Sequence, residues 1–439
     1  MKKISLQKKT KKGQALYKIA KKIIPGGNSF FSKRPELFLP NSWPPYFKKT
    51  KGCQIWDIDN NRYTDMGLMG VGTNILGYNN SAVDRAVLNV VKSGNLSSLN
   101  STEEVMLAKE LIKIHPWANN VKFARTGGEA NAIAIRIARS YSKKDNIAIC
   151  GYHGWHDWYL AENLKKTKKL GDHVKIKGVP KNLKSTIYSF EYNNLKQLEH
   201  LIKNKKIGII CMEVTRNEEP KNNFLKKIRT LANKNKIVLI FDECTSAFRK
   251  NYGGIHQLYK ITPDIALFGK ALGNGYAITA IIGKKKIMKH SQESFISSTF
   301  WTERIGLAAG LATLKEMRKK KSWRIIDRNG RYIIKKLSKL ANKNKIKIKI
   351  QGIPSICNYI IISKNWLKYK SLITQEMLKK KFLATNAIYT CTSHTKKIID
   401  KYFSELEPIF KIIQKCENGE KISKYLKHPV CHRHFKRLN

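Results

Sequence analysis

Residues 263–275 read PDIALFGKALGNG, and the fold of the chain follows from how this stretch is taken. Ile265, Ala266, Leu267 and Phe268 form an unbroken apolar run of strand length, which predicts a short buried strand. Lys270 stands at its end, beyond Gly269, and opens a loop that Gly273 and Gly275 make flexible. An amine in that position can be desolvated and approached closely, which is what a nucleophile toward a carbonyl requires. A solvated surface charge is the alternative for any lysine in so lysine-rich a chain.

Working outward, similar runs lie at 121–124, 147–150, 207–212, 237–241 and 278–282, with helical patterns between several of them, notably 225–232. This alternation predicts an α/β layer with a mostly parallel sheet between helices. Upstream, residues 54–63 alternate around an Asp-Asn-Asn turn as a β-hairpin does. Leu16, Ile19, Ala20 and Ile23 recur at helical spacing in an N-terminal arm that Pro25-Gly26-Gly27 stops. Ser81 begins a helix carrying Val83, Val87 and Val90, and Thr102 caps another. Beyond 305 the pattern changes to two long helices, 305–318 and 323–341, then strands at 346–350 and 359–362, a helix around Gln375 and a last helix over 395–415. The expected organisation is therefore an arm and part of a small domain at 1–80, a large ligand-binding domain at 81–304, and a smaller α+β domain at 305–439.

The chain is long enough for a large core, and its 42% hydrophobic content is ordinary. Its charge is not: 85 Lys and Arg stand against 31 Asp and Glu, a net +54. Runs such as Lys8–Lys12, Lys165–Lys169 and Lys379–Lys381 are scattered over the whole length without a recognition motif. That pattern describes a solvated basic surface with no specific nucleic-acid partner. Eight dispersed cysteines make no disulfide framework and fit a reducing cytoplasm. No apolar run approaches membrane-spanning length, so no membrane partner is expected.

Two further segments bear on Lys270. Thr126-Gly127-Gly128-Glu129 lies between a strand and a helix with Ile133, Ala134, Ile137 and Ala138 on one face, where free N–H groups and the helix dipole favour an anion. The site is either a phosphate cradle or a plain glycine turn, and the dinucleotide and NTP loop spacings are absent. At 237–243 an apolar strand ends in Asp242-Glu243. A buried carboxylate needs a cation, an N-cap role or a metal. Metal ligation is not expected, because His153 and His156 lack carboxylates at ligand spacing and Cys431-His432-Arg433-His434 lacks a second ligand pair. A lysine, a strand-end aspartate, an anion site and an aromatic, Tyr152, together suit pyridoxal phosphate.

The chain resembles the class-III, fold-type-I aminotransferases, most closely the branch that contains glutamate-1-semialdehyde 2,1-aminomutase. The likeness is carried by IPGGNS at 24–29, DIDNNRYTD at 57–65, ILGY at 75–78, TGGEANAIAIRIAR at 126–139, GYHGWHDW at 151–158, LIFDECTSAFR at 239–249, FGKALGNGYAI at 268–278 and SSTFWTERIG at 297–306. It implies that Lys270 carries pyridoxal 5'-phosphate as an aldimine and then moves the proton. Asp242 would pair with the pyridine nitrogen, Gly127 and Gly128 would bind the phosphate, and Tyr152 would stack on the ring. Thr299 would reach the phosphate of a neighbouring subunit, implying a homodimer with a shared site, and Glu213 matches an active-site glutamate by position. The implied activity is exchange of an amino group between a small-molecule amino donor and a carbonyl acceptor, with intramolecular transfer in glutamate-1-semialdehyde as the alternative.

The chain departs from the pattern in several places. Gly128 removes a hydroxyl from the usual Ser-Gly-Thr cradle, Tyr78 replaces a histidine, and Val214 replaces a proline. Arg216-Asn217-Glu218-Glu219 replaces a glycine-bearing loop that the mutase uses near its substrate, and Arg216 offers a clamp for a substrate carboxylate.

Overall fold

The structure, a computed structural model, describes residues 11–164, 177–215 and 217–433. Its elements in chain order begin with α1 (Lys11–Ile23), β1 (Phe47–Lys51), β2 (Gln54–Asp57) and β3 (Arg62–Asp65). Next come α2 (Ser81–Ser93), α3 (Thr102–Ile114), β4 (Asn120–Ala124), α4 (Gly127–Ser142), β5 (Ile147–Cys150), β6 (Ile187–Ser189), β7 (Ile209–Glu213), α5 (Phe224–Lys234), β8 (Val238–Asp242), β9 (Ile265–Phe268), β10 (Thr279–Gly283) and α6 (Arg304–Lys320). The last stretch holds α7 (Ser322–Lys343), β11 (Ile348–Gln351), β12 (Ile356–Ile361), α8 (Trp366–Lys379), β13 (Phe382–Leu383), β14 (Ala387–Tyr389) and α9 (Lys396–Glu417). The chain forms two compact units, one of residues 81–324 and the other of residues 1–80 with 325–439.

In the first unit a seven-stranded sheet has the order β4-β10-β9-β8-β7-β5-β6. β10 is antiparallel to β4 and β9, and the remaining pairs are parallel. Every residue of β5, β7, β8, β9 and β10 is buried, which is why these strands read as continuous apolar runs rather than alternations. Ile133, Ala134, Ile137 and Ala138 of α4 join the core built on the sheet. The strand that sequence reading missed is β6, three residues reading Ile-Tyr-Ser at the sheet edge, too short and too polar to show as a run.

Helix α6 also belongs to this unit, although the sequence pattern drew the boundary at 304. Its Gly306, Leu307, Ala308, Ala309 and Gly310 are buried on every side of the first turns, four of the five being small, and it packs on α2 and α3. The change from strands to helices is thus not a domain edge. Thr102 is the first residue of α3 rather than its cap; Ser101 holds the N-cap position and makes no side-chain capping bond.

The second unit contains a four-stranded sheet, β1-β2-β3-β13, and a three-stranded antiparallel one, β11-β12-β14. A core that includes Met66, Leu337, Tyr369, Phe382, Tyr402 and Phe410 holds it together. Helix α1 buries Tyr17 and Ala20, yet Leu16, Ile19 and Ile23 of its predicted apolar stripe are 43%, 54% and 73% exposed. All eight cysteines are buried and none is in a disulfide. Among the described residues no helix is long and apolar enough to cross a membrane.

Each unit encloses a histidine that must stay neutral. His394 Nδ1 accepts from Cys391 N–H at 3.1 Å, so its proton sits on Nε2, which donates to the Asp65 carbonyl at 2.8 Å. His115 Nε2 accepts from Gly254 N–H at 2.9 Å while Nδ1 donates to the Leu111 carbonyl at 3.0 Å. Burial lowers both from an ordinary 6.5 to about 4, with nearby His256 adding to the effect on His115. The unfolded rings take up a proton that the folded ones refuse. Stability is therefore lost as pH falls from 6.5 toward 4, by on the order of 3 kcal/mol per ring. Denaturant unfolding across that range will show the slope, and His394→Asn will lessen it by roughly one proton; an unaltered slope would assign it to other groups.

Candidate active site

Parallel pairing brings the carboxyl ends of β5, β7, β8 and β9 to one edge of the large sheet, with Cys150 opposite Met212, Glu213 opposite Asp242, and Asp242 opposite Leu267. Ligands of open α/β sheets gather at such an edge. Lys270 lies there with φ +40°, a left-handed conformation costly for a side-chain-bearing residue. Its Nζ donates to Thr245 Oγ1 at 2.7 Å. The glycines after it do not make a loose loop. Leu272 N–H bonds to the Gly269 carbonyl at 2.9 Å and Tyr276 N–H to the Gly273 carbonyl at 3.0 Å, so Lys270 is presented by consecutive tight turns.

Asp242, 5% exposed, has both carboxylate oxygens hydrogen-bonded. Oδ2 accepts from Asn131 Nδ2 at 2.8 Å and pairs with His153 Nδ1 at 2.9 Å, while Oδ1 accepts from Cys244 N–H at 3.1 Å. Burial alone would raise its pKa, but the His153 ring, the Asn131 amide and the Cys244 N–H outweigh burial and hold it below the ordinary carboxylate value. Burial likewise opposes charge on His153, and contacts with Cys211 and Asp242 more than offset that, lifting the ring well above its ordinary value. The result is a buried anion–cation pair, the state in which a strand-end carboxylate can face a protonated ring nitrogen. Burial, followed by the charge of Asp242, pushes the Cys244 thiol well up, which leaves it inert as a nucleophile.

Thr126 caps α4 in a capping box, its hydroxyl accepting from Glu129 N–H while Glu129 Oε2 accepts from Thr126 N–H at 2.7 Å. Gly127 and Gly128 are the first two helical residues, and among the described residues neither N–H meets an acceptor. Asn131, one turn on, donates to the Gly127 carbonyl at 2.9 Å as well as to Asp242, tying this cradle to the carboxylate. Cys244 Sγ lies 3.6 Å from where a Gly127 Cβ would stand and 3.4 Å from that of Gly269. The cradle, Asp242 and the Lys270 turn are thus within contact of one residue.

Tyr152 follows β5 and is 55% exposed, its ring edge-on to Tyr159 at 6.0 Å. Glu213 Oε2 accepts from Tyr152 N–H at 3.2 Å, and a Cβ on Gly151, at φ +117°, would come within 2.5 Å of that oxygen. Glu213 thus seats the loop that carries Tyr152. Thr299 opens an exposed turn, Thr299–Thr302, anchored by Arg125, whose Nε donates to the Phe300 carbonyl at 2.8 Å and whose Nη2 pairs with Glu303 at 3.1 Å. No described contact joins Thr299 to Lys270 or Asp242 within the chain. Arg216, His434 and the lysine run 165–169 lie outside the described residues. Among the described residues no three His, Cys, Asp or Glu side chains gather as a metal site would require.

Thr245, Asn131 and His153 escaped the sequence reading as members of the site. Asn131 was detectable in principle, since it lies one helical turn beyond Gly127 and so shares its face. His153 stands beside Tyr152, but its sequence neighbours point to no partner, since Asp242 lies 89 residues away. Nothing local marks Thr245, because its tie to Lys270 exists only once β8 and β9 pair.

A family model described as Aminotransferase class-III matches residues 41–385. The 3-aminobutyryl-CoA aminotransferase of Cloacimonas acidaminovorans is 34% identical over 84% of this chain and 87% of its own length. The glutamate-1-semialdehyde 2,1-aminomutase of Wigglesworthia glossinidia brevipalpis is 31% identical over 91% of this chain and 97% of its own. Among solved structures, the pyridoxal phosphate internal aldimine form of the Sphingopyxis sp. MTA144 FumI protein superposes with a TM-score of 0.85 at 20% identity, covering 95% of this chain and 100% of that one.

Proposed function

The chain belongs to the class-III aminotransferase family, whose cofactor is pyridoxal phosphate, and on that premise we propose that its reaction is run by Lys270 and Asp242 with Gly127, Gly128, Tyr152, Glu213 and a partner's Thr299 in support. It exchanges an amino group between an amino donor and a carbonyl acceptor.

The residues present fit the cofactor. A primary amine, a buried ionised carboxylate and a pair of N–H groups without acceptors among the described residues answer an aldehyde, a pyridine nitrogen and a phosphate. When bound, pyridoxal phosphate supplies the carbonyl that captures an amine and a ring that accepts the electron pair left on loss of a proton. With the cofactor bound, Lys270 Nζ would hold that carbonyl, and the same amine, once free, would accept the proton from the donor's amino-bearing carbon. Thr245 Oγ1 holds Nζ in place between these tasks. Asp242 keeps its charge through His153 and Asn131 and so keeps the ring nitrogen protonated. Gly127 and Gly128 donate N–H groups to the phosphate, and Tyr152 offers its ring face. The observation that carries this reading is the placement of a hydroxyl-held amine on the same sheet edge as a buried, ion-paired carboxylate.

The working unit in this reading is a cytoplasmic homodimer with its site shared across the interface. Thr299 is exposed, as a residue serving a second copy would be. Leu99, Phe295 and Phe300 of the large-sheet unit are 84%, 94% and 66% exposed, apolar surface that a second copy could cover.

Purified enzyme will be offered α-amino acids, ω-amines, 3-aminobutyryl-CoA and glutamate-1-semialdehyde in turn. Stoichiometric release of a carbonyl product from a donor, before any acceptor is added, is the expected result. Conversion of glutamate-1-semialdehyde alone, with nothing released, would replace this reading with that of the mutase.

A further inference from the structure

Gly128 is helical in backbone conformation, so its φ and ψ would suit any residue. What demands glycine there is a neighbour. A Cβ on Gly128 would stand 2.9 Å from both Nδ1 and Cε1 of His156, closer than a side-chain carbon approaches anything. The imidazole edge fills the space that a side chain at this step of the cradle would take. The loop carrying it reaches α4 through Gly154, at φ +104°, whose own Cβ would lie 2.8 Å from the Gly128 Cα. Trp155 stacks on the ring at 4.6 Å and 23°, fixing its plane.

His156 Nδ1 is shielded from solvent and meets no hydrogen-bond partner among the described residues. A buried polar atom left so is costly and calls for a ligand. Of the acids that act on the ring, Glu129 and Asp157, Glu129 is already committed: its oxygens accept from Arg125 N–H, Thr126 N–H and Trp301 Nε1. Among the described residues the start of α4 therefore offers the Gly127 and Gly128 N–H groups and one imidazole nitrogen without protein partners. That donor set suits a ligand that only accepts.

We propose that His156 is a ligand of the cofactor phosphate, donating from Nδ1–H beside Gly128 and supplying a side-chain hydrogen bond that the two glycines lack. The inference rests on the reading of α4's first turn as the phosphate cradle. Burial, partly countered by Glu129 and Asp157, lowers the pKa of His156, so the ring is a neutral donor at neutral pH rather than a second cation.

The test is binding to the apoenzyme. Dissociation constants for pyridoxal phosphate and for pyridoxal, which lacks the phosphate, are measured by fluorescence titration of the wild-type, His156→Ala, Gly128→Ala and double variants. A single hydrogen bond to a charged ligand predicts that His156→Ala weakens pyridoxal phosphate by about 10- to 100-fold, with pyridoxal unaffected. Gly128→Ala, by displacing the ring, will do the same, and the double variant will lose no more than either single one. Equal constants in wild type and His156→Ala, or an equal loss for pyridoxal, would overturn the assignment while leaving the cradle in place. A wild type that binds the two forms alike would remove the cradle itself. Melting temperatures of the apo variants exclude loss by misfolding.

Discussion

Lys270→Ala will lower amino-group transfer by about four orders of magnitude or more, because one change removes both the amine that binds the cofactor carbonyl and the base that moves the proton. The loss will be chemical and not structural. The side chain is only half-buried, and alanine deletes its bond to Thr245 without opening a buried core. Alanine also meets the same left-handed backbone that lysine already tolerates at φ +40°. Unfolding midpoints should therefore shift little, and borohydride reduction should no longer fix the cofactor to the peptide containing position 270. Added methylamine should restore a fraction of the rate. Turnover undiminished in the variant would remove Lys270 from the chemistry altogether.

Asp242→Asn carries the second-largest effect, a fall in turnover of about a thousandfold, comparable to removing a preorganised electrostatic contact. It is also the change with consequences for stability. The folded pKa of Asp242 lies below 3.8, so its contribution is present above that value and is lost as pH falls through the folded one. The folded pKa of His153 lies well above 6.5, so its contribution is present below 6.5 and is lost as pH rises through the raised value. The pair is therefore fully effective from about pH 4 to 6.5 and persists to neutrality. The variant leaves His153 without its counter-charge, and breaking a buried pair costs about 3–5 kcal/mol. Parallel denaturation of wild type and variant at pH 6 should show that loss, and a proton-resonance titration should show His153 returning toward its ordinary value. A variant as stable as the wild type would mean that His153 is neutral beside Asp242.

Much of this architecture can be read before folding is considered. Strands β5, β7, β8, β9 and β10 are legible because burial on both faces selects apolar residues at every position, leaving no alternation to misread. Glycines at 127 and 128 and the acid at 242 are legible because a helix start and a strand end impose local demands. What is not legible is contact between segments far apart in sequence. The meeting of Asn131, His153 and Asp242, the hold of Thr245 on Lys270, and the approach of His156 to Gly128 arise only when strands pair. The same limit explains α1, whose apolar stripe predicts a buried face but lies outward, since periodicity shows that a face is apolar without showing what covers it.

The eight enclosed thiols have a use of their own. Cys150, Cys211 and Cys244 sit in the large-sheet unit, and Cys53, Cys357, Cys391, Cys416 and Cys431 in the other. Cys211 in the first unit and Cys357 and Cys391 in the second are fully enclosed, so a thiol-specific reagent reaches them only when the surrounding structure opens, and the rate at which each is alkylated is a clock for the opening of its own neighbourhood. Peptide mapping after timed exposure would thus compare how often the two units breathe, with no label introduced and no residue altered.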